Sequence, residues 1–459
     1  MASDPPELTF PELPATVVHV LRTLRDADHE AVLVGGAVRD QLLRLPHGTW
    51  DWDAATSAPP ERVAELFEHS TWENRFGTVT VRGVPPVEVT SYRAEGGYRD
   101  ARRPDDVRFG VSLEEDLARR DFTINAIAWL PTDLEARRGR LVDPAGGIDD
   151  IRAGVLRTVG DPRDRFGEDA LRLIRAARLA ARFDLALDPA TERAVRELAA
   201  TAAGISGERL RDELTRMLEL RPAPSRAFAL LERLGLLAVI LPELAALRGV
   251  AQAKPVPGDA LDHTLAAVDA VPTDAPDDTP FAALLHDLGK ATTGGDGHFI
   301  DHERVGAELA RGVLDRLRVA RARTERIVKV VEHHMYHYEP AWTDAAVRRF
   351  VRRLAGVDRD LLFALRRADN QASGAGDAGE ENQRELEARI TAELASRAEL
   401  LLDRRLAIDG HDLQEAIGLT PGPRIGEVLD RLSEMVLDHP DLNDREKLLG
   451  LARRMVGER

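Results

Sequence analysis

The sequence predicts an α+β fold: a small head built on a mixed sheet with flanking helices, an extended all-α body, and a second all-α domain. Three observations carry this. The chain has 459 residues, about three domains at roughly 150 residues each. Strand-like alternation is confined to about the first 160 residues. From GEDALRLIRAARLAARF (167–183) onward, almost every segment repeats its apolar residues at helical spacing.

The elements follow in order. AVLVGG (31–36) is a short apolar run ending in glycines and leading into a helical AVRDQLLRL. WDWDAAT (50–56) reads as a strand, and PPERVAELF (59–67) as a helix with prolines in its first turn. GTVTVRG (77–83) and PVEVTSY (86–92) alternate as the two arms of a β-hairpin. Residues 94–108, glycine-containing and charged, are expected to form a mobile loop, and LEEDLARRDFTINAIAWL (113–130) a helix running into an apolar segment. Breaks at QAKPVPG (252–258) and ASGAGDAGEEN (372–382) complete the division. The expected domains are a head over 1–160, a helical neck and body over 161–251, a helical domain over 258–371 and a terminal helical region over 383–459.

Composition narrows the function. The hydrophobic fraction of 43% supports sizeable cores. A net charge of −16 argues against a globally basic nucleic-acid coat protein. The absence of cysteine excludes disulfides, a thiolate nucleophile and Cys-ligated zinc or iron–sulfur sites. The first residues carry acids and prolines rather than a basic and then apolar run, and no stretch reaches about 18 uninterrupted apolar residues. A soluble, cytoplasmic protein with no membrane partner is expected. Only Lys254, Lys290, Lys329 and Lys447 are lysines among 63 basic side chains, so arginine placement, not arginine abundance, carries information.

Gly35 and Gly36 end a strand and open a helix carrying Arg39, a turn that lets backbone N–H groups approach a phosphate. Taken alone, such a turn is usually only a turn. Asp51 and Asp53 flank Trp52, and strand periodicity aims residues i and i+2 at one face. Two carboxylates so placed repel unless a divalent cation sits between them, although a lone pair of this kind is commonly just two solvated acids. Glu88, in the adjacent hairpin strand, could add a third carboxylate. Such clustering suits two-metal phosphoryl or nucleotidyl transfer.

The segment LVGGAVRDQLLRLPHGTWDWDAAT resembles the signature of the polymerase-β-like nucleotidyltransferases, specifically the bacterial class II CCA-adding tRNA nucleotidyltransferases and related poly(A) polymerases. The likeness continues in register through EVTSYRAEGGYRDARRPDDVRFGVSLEEDLARRDFTINAIA and LVDPAGGIDDIRAGVLRTVGDPRDRFGEDALRLIRAARLAARF, covering roughly residues 31–220. It implies metal-binding and catalytic roles for Asp51 and Asp53, with Mg²⁺ as the head cofactor. It implies nucleotide contacts for Gly36 and Arg39 and a further triphosphate contact for Arg120, and Gly35 joins the nucleotide-binding set from the turn itself. Glu88 joins the catalytic set on strand placement.

Spacings of three and four set Asp169, Arg172, Arg175 and Arg178 along one helical face. An intrahelical salt-bridge face is the ordinary explanation. The alternative is base recognition: a carboxylate accepts from an exocyclic amine while a guanidinium donates to a ring nitrogen, a pairing that cytosine and adenine satisfy and uracil and guanine do not. The resemblance assigns that role to Asp169 and Arg172, with Arg175 and Arg178 as neighbouring nucleotide contacts. The 94–108 stretch is similar to a loop retained by family members that perform the A step, with Arg103 before Pro104 where the family has histidine.

Seven of the thirteen histidines fall between 263 and 337. His263, the pair His286-Asp287 in LLHDLGK, and Asp369 follow an H…HD…D order that resembles the HD phosphohydrolase superfamily. Imidazole and carboxylate drawn from separate helices suit a divalent metal such as Mg, Mn, Ni or Fe that activates water. His302, His333 and His334 are candidate ligands for a second metal, with His302 and His333 as the chosen pair.

The expected function is template-independent addition of CCA to the tRNA 3′ end from CTP and ATP, with release of pyrophosphate. The alternatives are an A-adding partial enzyme or poly(A) polymerase, and a chain whose main activity is HD phosphohydrolysis. An RNA partner also predicts a basic surface stripe, to which the four arginines of 172–182 would contribute.

Overall fold

Strands drawn from the first third of the chain assemble into one eight-stranded sheet. The computed structural model describes residues 6–46, 51–73, 77–98, 104–252, 254–295, 298–402 and 405–457. They fall into two compact units, Met1–Pro242 and Glu243–Arg459.

The first unit opens with β1 (Glu7–Thr9), α1 (Ala15–Asp26), β2 (Ala31–Val34), α2 (Gly36–Leu42), β3 (Asp53–Thr56) and α3 (Pro60–Leu66). It continues with β4 (Ser70–Glu73), β5 (Thr78–Val81), β6 (Val87–Ser91), β7 (Arg93–Tyr98), β8 (Pro104–Phe109), α4 (Leu113–Ala118), β9 (Ala128–Asp133) and β10 (Arg138–Val142). The sheet order is β1-β10-β9-β2-β3-β6-β5-β4. All pairings are antiparallel except β3 with β6, whose parallel register sets Asp53 beside Glu88.

AVLV forms a central strand buried on both faces, which is why it reads as an uninterrupted apolar run. Ala31 and Leu33 join a core with Phe10, Trp129 and the inner face of α1, while Val32 and Val34 join Tyr92, Leu117 and Ala128 on the other side. The β5–β6 hairpin forms where the alternation places it.

Two expectations for the head need correction. In place of the loop expected over 94–108, Arg93–Tyr98 and Pro104–Phe109 pair as a two-stranded antiparallel ribbon, β7 against β8, with Arg93 opposite Phe109; Arg103 lies outside the described residues. The helix expected from 113 stops at Ala118, and the apolar segment expected to follow it belongs to strand β9, Ala128–Asp133, in the main sheet. The Asp121 carboxylate bonds the Phe122 N–H and the Asn125 amide, drawing the intervening chain into a 3₁₀ turn at Thr123–Asn125.

Helices then follow: α5 (Gly147–Ala153), α6 (Pro162–Glu168), α7 (Leu171–Phe183), α8 (Pro189–Leu198), α9 (Gly207–Leu218), α10 (Ser225–Arg233) and the single turns α11 (Leu237–Ile240) and α12 (Pro242–Ala245). The continuous helix expected over 167–183 is interrupted, because Asp169 is extended (φ −152°) and its Oδ1 accepts the Leu171 N–H at 3.0 Å. Asp169 therefore precedes α7 and shares no helical face with Arg172, Arg175 and Arg178.

The second unit is mainly helical: α13 (Ala260–Asp269), α14 (Thr279–Leu285), α15 (Lys290–Thr293), α16 (His302–Arg316), α17 (Arg321–His333), α18 (Asp344–Arg353) and α19 (Arg359–Ala372). The long α20 (Gly376–Leu402) begins inside the segment read as a break and leads to α21 (Gly410–Ile417), α22 (Pro423–Asp438) and α23 (Arg445–Gly457). The last three bury their own cluster around Leu413, Leu432, Val436 and Leu448.

Candidate functional site

At one end of the head sheet, the end of β2 meets the starts of β3 and β6. Val34 pairs with Asp53, and Asp53 pairs with Glu88, so the Gly35-Gly36 turn and three carboxylates share one corner. Gly35 has φ +68°, and a Cβ there would stand 3.3 Å from Asp53 Oδ2 and 3.4 Å from an Arg120 nitrogen; a side chain would be strained and would crowd the corner. Asp51 lies just before the strand and is exposed, while Asp53 is half-buried.

Burial pushes the Asp53 carboxyl up, Arg120 opposes this, and Glu88 and Asp51 push it further, to about 6. Three mutually repelling carboxylates at the mouth of a cleft are the chemistry a hard divalent cation relieves, so these residues fit one.

This corner opens into a cavity of about 540 Å³. Gly35, Gly36, Arg39, Asp51, Asp53, Glu88, Arg120, Arg175 and Arg178 all line it, joined by Asp121, Asn125, Arg182 and Arg216. Asp169 and Arg172 do not. Asp169 is paired with Arg209 at 2.6 Å, and Arg172 with Glu168 at 2.5 Å.

The arginines are fixed by carboxylates, some on their own element and some from others. Arg39 is buried, bonded to Asp40 at 2.7 Å and to Asn125 at 2.6 Å, and stacked on the Phe183 ring. Arg175 forms a two-nitrogen pair with Asp121, at 2.9 and 2.6 Å. Burial would raise the Asp121 carboxyl, but Arg175 and Asn125 outweigh it and hold it well below the usual range. Arg178 donates to Glu213 at 2.5 Å. Arg120 reaches Asp116 at 3.4 Å, yet its buried Nε has no partner.

The four arginines of 172–182 therefore do not form the expected surface stripe. Arg172, Arg175 and Arg178 turn inward against Glu168, Asp121 and Glu213, while Arg182 stays exposed with Asp40 at 3.6 Å. Asp121, Asn125, Glu213 and Arg209 escaped the sequence reading. Glu213 did leave a signal: it interrupts the apolar stripe Leu210, Leu214, Met217 of α9.

A second cluster lies in the second unit. His263 Nε2 is 3.1 Å from Asp369 Oδ1, and His286 Nε2 is 3.2 Å from Asp287 Oδ2. His302 and His334 Nε2 lie 3.5 and 3.8 Å from Asp287 Oδ1. Ligand atoms of His263, His286 and Asp369, and of His286, Asp287 and His334, fall within 4.8 Å of one another.

The Nδ1 atoms of His286, His302 and His334 face the carbonyls of Ala283, Phe299 and Val331 at 2.7–2.8 Å. A carbonyl only accepts, so each Nδ1 carries the proton. The three Nε2 atoms are buried without a hydrogen-bond partner. Burial, with His286 beside it, lowers the His334 imidazole to about 3, leaving a lone pair aimed at a carboxylate. That arrangement fits a metal cation held by imidazoles whose orientation is fixed from behind. His333 is not part of it: its Nδ1 faces Lys329 O on the outer side of α17, and His334, at the helix end, takes the inward position.

The sheet-borne carboxylates and the arginine-lined cavity define a nucleotidyltransferase head, and residues 31–157 match the poly A polymerase head domain family. Residues 184–247 match the probable RNA and SrmB-binding site of polymerase A, and residues 260–394 the HD domain. The chain is 37% identical over 420 residues to the A-adding tRNA nucleotidyltransferase of Deinococcus radiodurans, covering 88% of this chain and 91% of that protein. It is 33% identical over 433 residues to the CCA-adding enzyme of Geobacillus stearothermophilus, covering 94% of each. The crystal structure of the Bacillus stearothermophilus CCA-adding enzyme in complex with CTP superposes with a TM-score of 0.69 at 29% identity, covering 96% of this chain and 97% of that one. The chain belongs to the tRNA nucleotidyltransferase family of CCA-adding and A-adding enzymes. No helix among the described residues is long and apolar enough to cross a membrane.

Proposed function

We propose that this enzyme adds C, C and A to the 3′ end of tRNA from CTP and ATP, releasing pyrophosphate. The observation that carries this is the convergence of Asp51, Asp53 and Glu88 beside the Gly35-Gly36 turn, at the mouth of a cavity walled by Arg39, Arg120, Arg175 and Arg178. Full-length likeness runs both to a CCA-adding enzyme and to an A-adding one, so the assay with CTP alone, not likeness, separates the complete triplet from the A step.

Asp51 and Asp53, with Glu88, would hold Mg²⁺, which when bound supplies charge neutralisation at the phosphates and a more acidic attacking hydroxyl. The chain's own contribution is positional. Gly35 and Gly36 leave room for a triphosphate beside the carboxylates, and the Arg120 guanidinium lines the same cavity with its positive charge. Arg175 and Arg178, held rigid by Asp121 and Glu213, set where the nucleotide lies.

Base choice rests on Asp169 and Arg172 in this reading, and both must exchange their present partners, Arg209 and Glu168, to meet a base. Asp169→Ala is therefore expected to reduce the preference for CTP and ATP over UTP and GTP by about tenfold or more, in side-by-side incorporation assays. An unchanged preference would remove Asp169 from base reading.

Labelled CTP supplied alone to tRNA lacking CCA tests the main proposal. A CCA-adding enzyme incorporates it, and an A-adding enzyme incorporates nothing.

A second reading is favoured by the orphaned imidazoles of the HD cluster: a divalent metal bound by His263, His286, Asp287 and Asp369, serving a phosphohydrolase. His286→Ala combined with Asp287→Ala is expected to leave CMP and AMP incorporation within about twofold of the parent. Loss of incorporation in that variant would make the HD centre part of nucleotide addition.

A further inference from the structure

Two of the four lysines in this arginine-rich chain, Lys254 and Lys290, enter the HD cluster. Lys290 Nζ lies 2.5 Å from Asp287 Oδ2. Lys254 is on the Pro/Gly-rich segment before α13, with its side chain only 21% exposed. Its Nζ lies 2.6 Å from His263 Nε2 and 3.5 Å from Asp369 Oδ1, two atoms themselves 3.1 Å apart.

An ammonium group has three donors and no lone pair, so it bonds the same lone pairs a metal would use and can never serve as a ligand itself. A metal bound by His263 and Asp369 sits roughly 2.0–2.2 Å from each donor atom. The Lys254 ammonium stands in that space. Gln252 contacts both lysines: its Oε1 accepts from Lys290 Nζ at 3.2 Å, and its backbone carbonyl accepts the Lys254 N–H at 3.1 Å.

We propose that Lys254 is a built-in competitor for the HD metal: its ammonium occupies the His263–Asp369 ligand pair in the metal-free enzyme and must swing out before a metal can bind. This rests on the metal reading of the cluster. It gives the lysine a purpose an arginine could not serve, since a compact ammonium fits between two ligand atoms where a planar guanidinium does not. It also lets the second unit fold with its buried carboxylates compensated before any metal arrives, Asp287 by Lys290 and Asp369 by Lys254.

The test uses the full chain carrying Asp53→Asn, so that the head does not contribute, and measures the Mn²⁺ dissociation constant by equilibrium dialysis. Adding Lys254→Met is expected to tighten Mn²⁺ binding at least tenfold. Unchanged or weaker binding overturns the proposal. Adding His286→Ala instead is expected to remove this binding; if it does not, the metal reading fails and the competitor role fails with it. A second measurement needs no lysine variant: acetylation of Lys254 by an N-hydroxysuccinimide ester, read by peptide mass spectrometry. Saturating Mn²⁺ is expected to raise Lys254 labelling severalfold as the ammonium leaves the cluster, and unaltered labelling overturns the proposal.

Discussion

Asp53→Asn is expected to lower CMP incorporation by roughly a thousandfold or more while making the metal-free protein harder to unfold. The rate follows from losing a metal ligand, a loss of several kcal/mol of transition-state stabilisation. The stability follows from the burial and the neighbours of Asp53. Its carboxyl titrates near 6 in the folded chain against 3.8 in its ordinary state. A raised carboxylate costs the fold nothing below its unfolded value, and the penalty grows as pH rises to about 6 and is complete above it. At 1.36 kcal/mol per unit this comes to about 3 kcal/mol, an upper bound because the carboxylate opens onto the cavity. In chelator at pH 8, Asp53→Asn should therefore melt several degrees above the parent. The gap should narrow below pH 6 and close near pH 4. A variant that melts lower at pH 8, or one that retains incorporation, would remove Asp53 from the strained metal corner.

The same corner shows what was legible beforehand. Gly35, Gly36, Asp51 and Asp53 could be read because their relation is local, one strand–turn–helix followed by one strand start. Glu88 needed only the hairpin and its parallel neighbour. The HD residues are far apart in sequence, yet their order and the HDLGK context sufficed for four of them. The errors arise where a partner from elsewhere decides the outcome. Arg175 and Arg178 look like free surface charge along α7, but their carboxylates come from 54 and 35 residues away. Asp169 keeps helical spacing with Arg172 but leaves the helical face because its backbone is extended, with its carboxylate accepting the Leu171 N–H. Residues 94–108 read as a loop because glycine and charge dominate there, whereas backbone pairing between β7 and β8 builds a ribbon. His333 and His334 are neighbours on a helix end, and which one faces inward depends on how α17 is packed, a phase the sequence leaves open.

Glu213→Leu is expected to destabilise the first unit by about 3–5 kcal/mol, because it strands the Arg178 guanidinium in a dry site. Glu213 and Arg178 side chains are 2% and 6% exposed, and Glu213 also lies 3.7 Å from Arg175 and 3.5 Å from Arg216. Adding Arg178→Met to Glu213→Leu should return most of the lost stability, since a buried ion pair and a well-packed apolar pair of similar volume are often close in free energy. Nucleotide incorporation should not return with it, because Arg178 lines the cavity and the methionine offers no donor. The two readouts thus separate. Denaturant unfolding of the single and double variants measures the coupling between the residues, and nucleotide KM measures what the guanidinium does for the ligand. If the double variant is no more stable than Glu213→Leu, the pair is not an isolated ion pair, and Arg175 and Arg216 share the load. If the double variant incorporates CMP at the parental KM, Arg178 contributes packing alone. Glu213 holds Arg178 in a fixed orientation before any nucleotide arrives, so the ordering cost is met in folding, and a rigid guanidinium can discriminate among ligands in a way a freely rotating one cannot.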